Sequence, residues 1–177
     1  MNYEMSNNFN YEMNKLTIIT IVLIFLVVLF TFKSLIIPFI LVLLIQCAVY
    51  ILMGVINILD MKVYYLSLLI VQSILMGATI DYAILFTNYY RELRKENSIR
   101  ISLKETYNKS IHTIFTSSLI MIIITGVLGF VFKDPAIGEI CHIIAIGVTI
   151  AVLLILFVLP SIIVLFDKKI VKNKFKS

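Results

Sequence analysis

The amino-acid sequence predicts an all-α membrane protein with five transmembrane helices. Of its 177 residues, 61% are hydrophobic and only 14% are charged, and the mean hydropathy is +1.06. Soluble domains contain about 45–50% apolar residues, so this chain has too few polar residues to cover a water-exposed surface. Its apolar runs are also long enough to cross about 30 Å of hydrocarbon, which takes about 20 helical residues.

Short polar segments divide the apolar sequence into five predicted spans. Pro38 follows the polar Lys33-Ser34 pair closely, and proline is accepted in the first turn of a helix but not in its interior. The segment 91–109 is the longest hydrophilic one, and its apolar pattern favours a short interfacial helix. The predicted bundle occupies residues 16–167, with a polar extracytoplasmic leader (1–15), spans at 16–32, 35–56, 63–90, 111–132 and 138–166, a loop at 91–109, and a basic tail (168–177).

The distribution of basic residues predicts the orientation in a cell membrane. Lys and Arg accumulate on the cytoplasmic side of membrane proteins. Lys33, the loop 91–109 and the tail together hold twelve of them, whereas the opposite side holds only Lys15, Lys62 and Lys133. We therefore expect a multi-pass protein whose N-terminus is outside and whose C-terminus is cytoplasmic.

Asp81 is the principal candidate for a functional residue, because it lies inside the third apolar run. A carboxylate at the centre of a span costs about 2.5–3.5 kcal/mol on insertion scales and by default marks a proton or ion pathway. Asp81 precedes Arg91 by ten residues, so it lies about 15 Å from the cytoplasmic end of its helix. Helical spacing places Gly77 and Asn88 on the same face, and Gly77 with Ala78 permits close helix packing. We expect this face to point into the bundle.

Tyr82 supplies a hydroxyl beside Asp81, although adjacent residues of a helix point about 100° apart. The direct partner of Asp81 is therefore expected on another helix. The alternative is a neutral structural Asp81 that only specifies helix pairing. Among other polar residues at membrane depth, Ser and Thr commonly bond back to their own helix and Gln commonly bonds between helices. The candidates are Gln46, Gln72, Thr113, Thr116, Ser117, Ser118, Thr125 and His142.

Signatures of enzymes and of metal sites are missing from the sequence. It contains no HExxH, GxSxG or GxxxxGK[ST] motif, and no second intramembrane aspartate that would pair with Asp81 as in an aspartyl protease. Cys47 and Cys141 lie singly in apolar runs, where we expect them to pack. The basic residues adjoin the spans, so they predict topology and no nucleic-acid partner. We expect no enzymatic activity.

The stretch from Gly77 to Glu92, GATIDYAILFTNYYRE, resembles the G-x-x-x-D-Y-x8-R-E signature of MMPL-type permeases of the resistance-nodulation-division (RND) superfamily. The tight corner at Pro38 and the Leu159-Pro160-Ser161 sequence late in the fifth span are also similar. The resemblance covers residues 16–167.

The resemblance implies a proton-driven exporter of lipids or hydrophobic compounds, which uses the proton gradient and needs no cofactor. It implies that Asp81 and Tyr82 form the proton relay, with Arg91 and Glu92 as the flank of the motif. Such permeases contain two repeats of six spans, each with an extracytoplasmic domain and one Asp-Tyr pair on its fourth span. On that pattern we expect this chain to be the last five spans of a second repeat, and its substrate-binding residues are not identified.

A single Asp-Tyr pair cannot complete such a relay, so we expect the chain not to transport alone. Besides the lipid bilayer, the expected partner is a second chain that carries the first repeat and the extracytoplasmic domain. A homodimer in which two Asp81-Tyr82 pairs meet across a two-fold axis is the other arrangement. The alternative functions are a non-transporting membrane scaffold or accessory protein, and a truncated relic without independent activity.

Overall fold

The computed structural model describes residues 2–60, 63, 65–132 and 134–167. The first four helices are α1 (Asn2–Phe32), α2 (Ile36–Ile58), α3 (Tyr65–Leu93) and α4 (Ile99–Val131). The fifth span consists of α5 (Pro135–Leu153), a π-helical segment (Leu154–Val158) and α6 (Leu159–Leu165). Within these described residues, five helical stretches are long and apolar enough to cross a membrane, which confirms the predicted all-α membrane fold.

Helix α3 occupies the centre of the bundle and packs against the other four spans. Its apolar side joins a core in which several side chains from different helices are fully inaccessible. Helices α1 and α4 are more peripheral, because only 17% and 11% of their apolar windows are buried, compared with 39–44% in the other spans. The fully buried residues of the core include Val28, Ile45, Leu75, Phe86, Ile143 and Ile155.

Local chemistry explains where two of the helices begin. The α1–α2 corner turns at Lys33, whose φ is 48°, in agreement with the predicted break at Lys33-Ser34. The side chain of Asp134 accepts a hydrogen bond from the Ala136 amide at 3.0 Å, and Pro135 occupies the first helical position of α5. A capping carboxylate followed by proline is a strong signal for a helix start.

Two boundaries differ from the sequence prediction. The connection between α3 and α4 is residues 94–98 instead of the predicted loop 91–109, because Ser102, Thr106 and Ser110 are buried against the bundle and keep the start of α4 helical. Helix α1 also extends through the predicted leader to Asn2, although its candidate membrane span begins at Asn14. The leader contains no proline or glycine that would end the helix.

The basic segments of the described chain lie at one end of the bundle. Arg91 donates a hydrogen bond to the Phe32 carbonyl, next to Lys33, and Arg94 pairs with Asp167 at the end of the fifth span. The α1–α2 corner, the α3–α4 connection and the end of α6 therefore share one side, as the charge count predicted. Lys62, Lys133 and the tail 168–177 lie outside the described residues, and the membrane orientation stays a prediction.

Helices α4 and α5 approach each other closely at Gly129. A Cβ added there would overlap the His142 ring, which bonds through Nδ1 to the Gly138 carbonyl at 2.9 Å and lies edge-on to Phe130 at 4.8 Å between centroids. We expect Gly129→Ala to lower the free energy of unfolding by about 1–3 kcal/mol, the usual cost of overpacking. Equilibrium unfolding in mixed detergent micelles measures this change.

Gly126→Ala is the matched control, because a Cβ at Gly126 has no heavy atom within 4 Å. Alanine favours a helix over glycine by about 1 kcal/mol, so this variant should be unchanged or more stable. Equal stability of the two alanine variants would contradict the close packing at Gly129.

Candidate functional site

Asp81 lies near the middle of the α3 membrane span, Ser67–Leu93, and its side chain is exposed. Gly77 and Asn88 are also exposed, and Ala78 is partly buried. The expectation that this face points into the bundle is therefore wrong for the helices of this chain. The opposite face of α3 carries the residues that pack on the other spans, among them Leu75, Met76, Ala83 and Phe86.

We call Gly77, Asp81 and Asn88 the Asp81 face. A Cβ added at Gly77 would have no heavy atom within 4 Å, so none of the described helices approaches there. Among the described residues, Asp81 makes no side-chain hydrogen bond or salt bridge. A carboxylate in hydrocarbon needs a partner, a water-filled space or a proton. Within the described part of the chain, none of its own helices supplies that partner.

Tyr82 connects the site to α4. Its half-buried ring lies next to Asp81 in the chain, and its hydroxyl lies near Ser117 of α4. Ser117 in turn donates to the Thr113 carbonyl of its own helix. The Tyr82 hydroxyl thus points toward α4, whereas the Asp81 carboxylate points out of the bundle, as expected for neighbouring residues of one helix.

The other polar residues at membrane depth are mostly used within or between helices. Back-bonding to the same helix is confirmed, because Ser118 donates to the Phe115 carbonyl and Thr125 to the Met121 carbonyl. Gln72 bonds between helices, with its Nε2 donating to Thr17 Oγ1 at 2.6 Å. Gln46 carries a buried Oε1 with no hydrogen-bond partner in the described part of the chain. In the described part of the chain, none of these residues forms a hydrogen bond with Asp81.

Arg91 and Glu92, the flank of the motif, lie at the basic end of α3. Arg91 Nη1 donates to the Phe32 carbonyl at 3.1 Å, and its guanidinium lies 5.3 Å from the centroid of the Phe32 ring. A cation at the C-terminus of a helix interacts favourably with the unpaired carbonyls there, so Arg91 holds the end of α1 against α3. Glu92 is exposed.

A buried polar cluster at the same end was not predicted from the sequence. The hydroxyl of Tyr90, which is fully buried, donates to Asp167 Oδ1 at 2.7 Å. Arg94 donates to both carboxylate oxygens of Asp167, from Nε at 3.0 Å and from Nη2 at 3.1 Å. The Asp167 carboxylate raises the pKa of the Arg94 guanidinium above its ordinary value. We call Tyr90, Arg94 and Asp167 the Asp167 cluster.

The spacing of Tyr90 and Arg94 was the available signal for this cluster, because residues four apart lie on the same side of a helix. In the sequence prediction, Arg94 was counted only among the basic residues of the segment 91–109, and Asp167 was given no role. The cluster joins the end of α3 to the end of α6 by a bidentate pair, the strongest geometry between arginine and a carboxylate.

These features define a polytopic helical membrane protein with a mid-span carboxylate that faces away from its own helices. The family model of the MMPL family matches residues 1–176, and the chain belongs to that family, as its sequence motif indicated. MMPL proteins are transporters rather than enzymes. A search of curated proteins found no match.

Proposed function

We propose that the chain is a transmembrane fragment or subunit of a proton-driven MMPL-type exporter of lipids or hydrophobic compounds. In this proposal Asp81 and Tyr82 form half of the proton relay. The observation that supports it is the exposure of Asp81 at the middle of α3, on a face that the described helices of the chain leave uncovered. An ionisable residue at this depth is by default part of a proton or ion pathway.

The uncovered Asp81 face supports the need for a second polypeptide. Hydrocarbon around a mid-span carboxylate is unfavourable, whereas polar groups or water between two protein surfaces would allow Asp81 to bind and release a proton. The cover is either a separate chain with the first repeat and the extracytoplasmic domain, or a second copy of this chain. The hydroxyl groups of Tyr82 and Ser117 would then form the side of the proton pathway that faces α4.

The same proposal includes a cell-membrane location with the basic end in the cytoplasm. An odd number of spans then places the N-terminus outside, so that α1 enters the membrane from the extracytoplasmic side. This orientation is supported by the positive-inside rule and by the common location of Lys33, Arg91 and Arg94 at one end of the bundle.

Photocrosslinking in native membranes tests whether another protein covers the Asp81 face. A photoreactive phenylalanine analogue fits at Gly77, where the structure leaves open space. We expect illumination to give a protein adduct, which mass spectrometry identifies as a second copy or a separate chain. The control position is Phe30, which is 80% exposed on α1 and should react mainly with lipid. Equal yields of protein adduct at both positions would contradict the proposal.

A further inference from the structure

The fifth span is not a continuous α-helix. Its π-helical segment separates α5 from α6, and the Leu159 amide bonds to the Leu154 carbonyl five residues earlier. Pro160 follows directly and has no N–H, so it cannot donate to the Leu156 carbonyl, its partner in an α-helix. Single π-helical turns frequently occur at functional sites. The backbone of span five is therefore interrupted at residues 154–160.

Tyr107 of α4 supplies the donor that Pro160 lacks. Its hydroxyl donates to the Leu156 carbonyl, across the interface between α4 and the fifth span. Phe86 of α3 packs edge-on against the Tyr107 ring, with 5.4 Å between the ring centroids and 78° between the ring planes. At the interruption, the Leu156 carbonyl thus accepts a hydrogen bond from a side chain of a neighbouring helix instead of from a backbone N–H of its own helix.

One row of side chains on α3 holds both ends of α6. Tyr82, Phe86 and Tyr90 of α3, and Arg94 directly after its end, are four residues apart, so they follow one side of the helix. Phe86 contacts Tyr107 at the interruption, whereas Tyr90 and Arg94 bind Asp167 just beyond the other end of α6. The row begins at Tyr82, next to Asp81, so it runs from the candidate proton site to the basic end of the bundle.

We propose that residues 154–160 are a hinge about which α6 moves, and that the Tyr107 hydroxyl holds this hinge closed. The inference rests on the contacts of the fifth span and not on the proposed function. The Asp167 cluster holds the far end of α6, and the Tyr107 hydroxyl holds the interruption itself by one neutral hydrogen bond. Loss of that hydrogen bond alone, about 1 kcal/mol net, raises an open population about fivefold. Tyr107 is therefore a positioning residue, and its hydroxyl sets the population of the open position of α6.

Spin-label distance measurements on the full chain in lipid nanodiscs test the hinge. Cys47 and Cys141, the free cysteines, are replaced by alanine, and labels are placed at Leu165 and Ile101, which are 81% and 50% exposed. The parent chain should give a narrow main distance and a minor, open population. In Tyr107→Phe we expect this open population to rise about fivefold.

The second variant tests the reason for the hinge. Pro160→Ala restores a backbone N–H that can bond the Leu156 carbonyl, so Tyr107→Phe should have no effect in that background. Tyr50→Phe on α2, which removes the hydroxyl of a residue that is 68% exposed, should leave the distances unchanged. A second label pair is placed at Leu153, which directly precedes the hinge, and at Ile123 on α4. The distances of this pair should also stay unchanged in every variant.

Three results would overturn the proposal. The first is an unchanged Leu165–Ile101 distribution in Tyr107→Phe. The second is an equal broadening by Tyr107→Phe with and without Pro160→Ala, which would show that the hydroxyl does not act through the missing N–H. The third is broadening of the Leu153–Ile123 pair in Tyr107→Phe, which would indicate general loosening of the bundle.

Discussion

Replacement of Asp81 by asparagine is expected to abolish proton-driven export by the complete assembly while the amount of chain in the membrane stays the same. Asparagine has nearly the same shape and can still hydrogen-bond, but it cannot bind and release a proton. Loss of a positioned proton-transfer group typically lowers rates by about 10²–10⁴, so export should fall at least about a hundredfold. Export from energised vesicles, with membrane levels measured by immunoblot, checks this result.

Asp60→Asn is the matched control, because it makes the same chemical change at a carboxylate that lies outside the spans and is exposed. Asp60 has a φ of 48°, which asparagine also tolerates, so export should be unchanged. Proton-dependent export that persists in Asp81→Asn would refute the relay.

Asp81→Leu separates the relay from the scaffold alternative. If Asp81 only specifies helix pairing, asparagine should be tolerated because it keeps the hydrogen-bonding capacity, whereas leucine should disturb the assembly. If Asp81 is the proton carrier, both substitutions should stop export, and asparagine should leave the assembly intact. Crosslinking from Gly77 in the two variants measures assembly independently of export.

The membrane spans were readable from the sequence because each one is a long apolar run between polar links. For the beginning of α4, the apolar pattern within 91–109 indicated a short interfacial helix, but the continuity of that helix with the fourth span was not readable, since residues 99–110 are hydrophilic. Their helical state depends on the burial of Ser102, Thr106 and Ser110. That packing involves residues distant in the chain, which the local sequence does not reveal.

The location of Asp81 was predictable, but the direction of its face was not. In a soluble helix, apolar residues mark the buried side. In a bilayer both lipid and protein interior are apolar, so the periodicity does not tell which side faces the other helices. The small residue Gly77 suggested an internal contact, yet the structure leaves that position open. The Asp167 cluster was missed because it joins residues 73 and 77 positions apart.

The Asp167 cluster is expected to contribute strongly to stability. Asp167→Ala would leave the fully buried Tyr90 hydroxyl without its acceptor and Arg94 without its counter-ion. Removal of one partner from a fully buried pair costs about 3–5 kcal/mol. Because the Arg94 side chain is 24% exposed and can turn to water, we expect a smaller loss of about 2–3 kcal/mol in the free energy of unfolding. Equilibrium unfolding in mixed micelles measures it.

Asp167→Asn should recover part of this loss, because its amide oxygen can still accept from Tyr90 while the charge that pairs with Arg94 is removed. Glu96→Gln is the control for loss of a carboxylate at the same end of the bundle; Glu96 is exposed, and its substitution should change stability by less than about 0.5 kcal/mol.

In a double-mutant cycle, Tyr90→Phe and Asp167→Ala should be non-additive by about 0.5–3 kcal/mol, since both remove the same hydrogen bond. Additive effects, or an Asp167→Ala variant as stable as Glu96→Gln, would show that the cluster does not fix the end of α6 to α3.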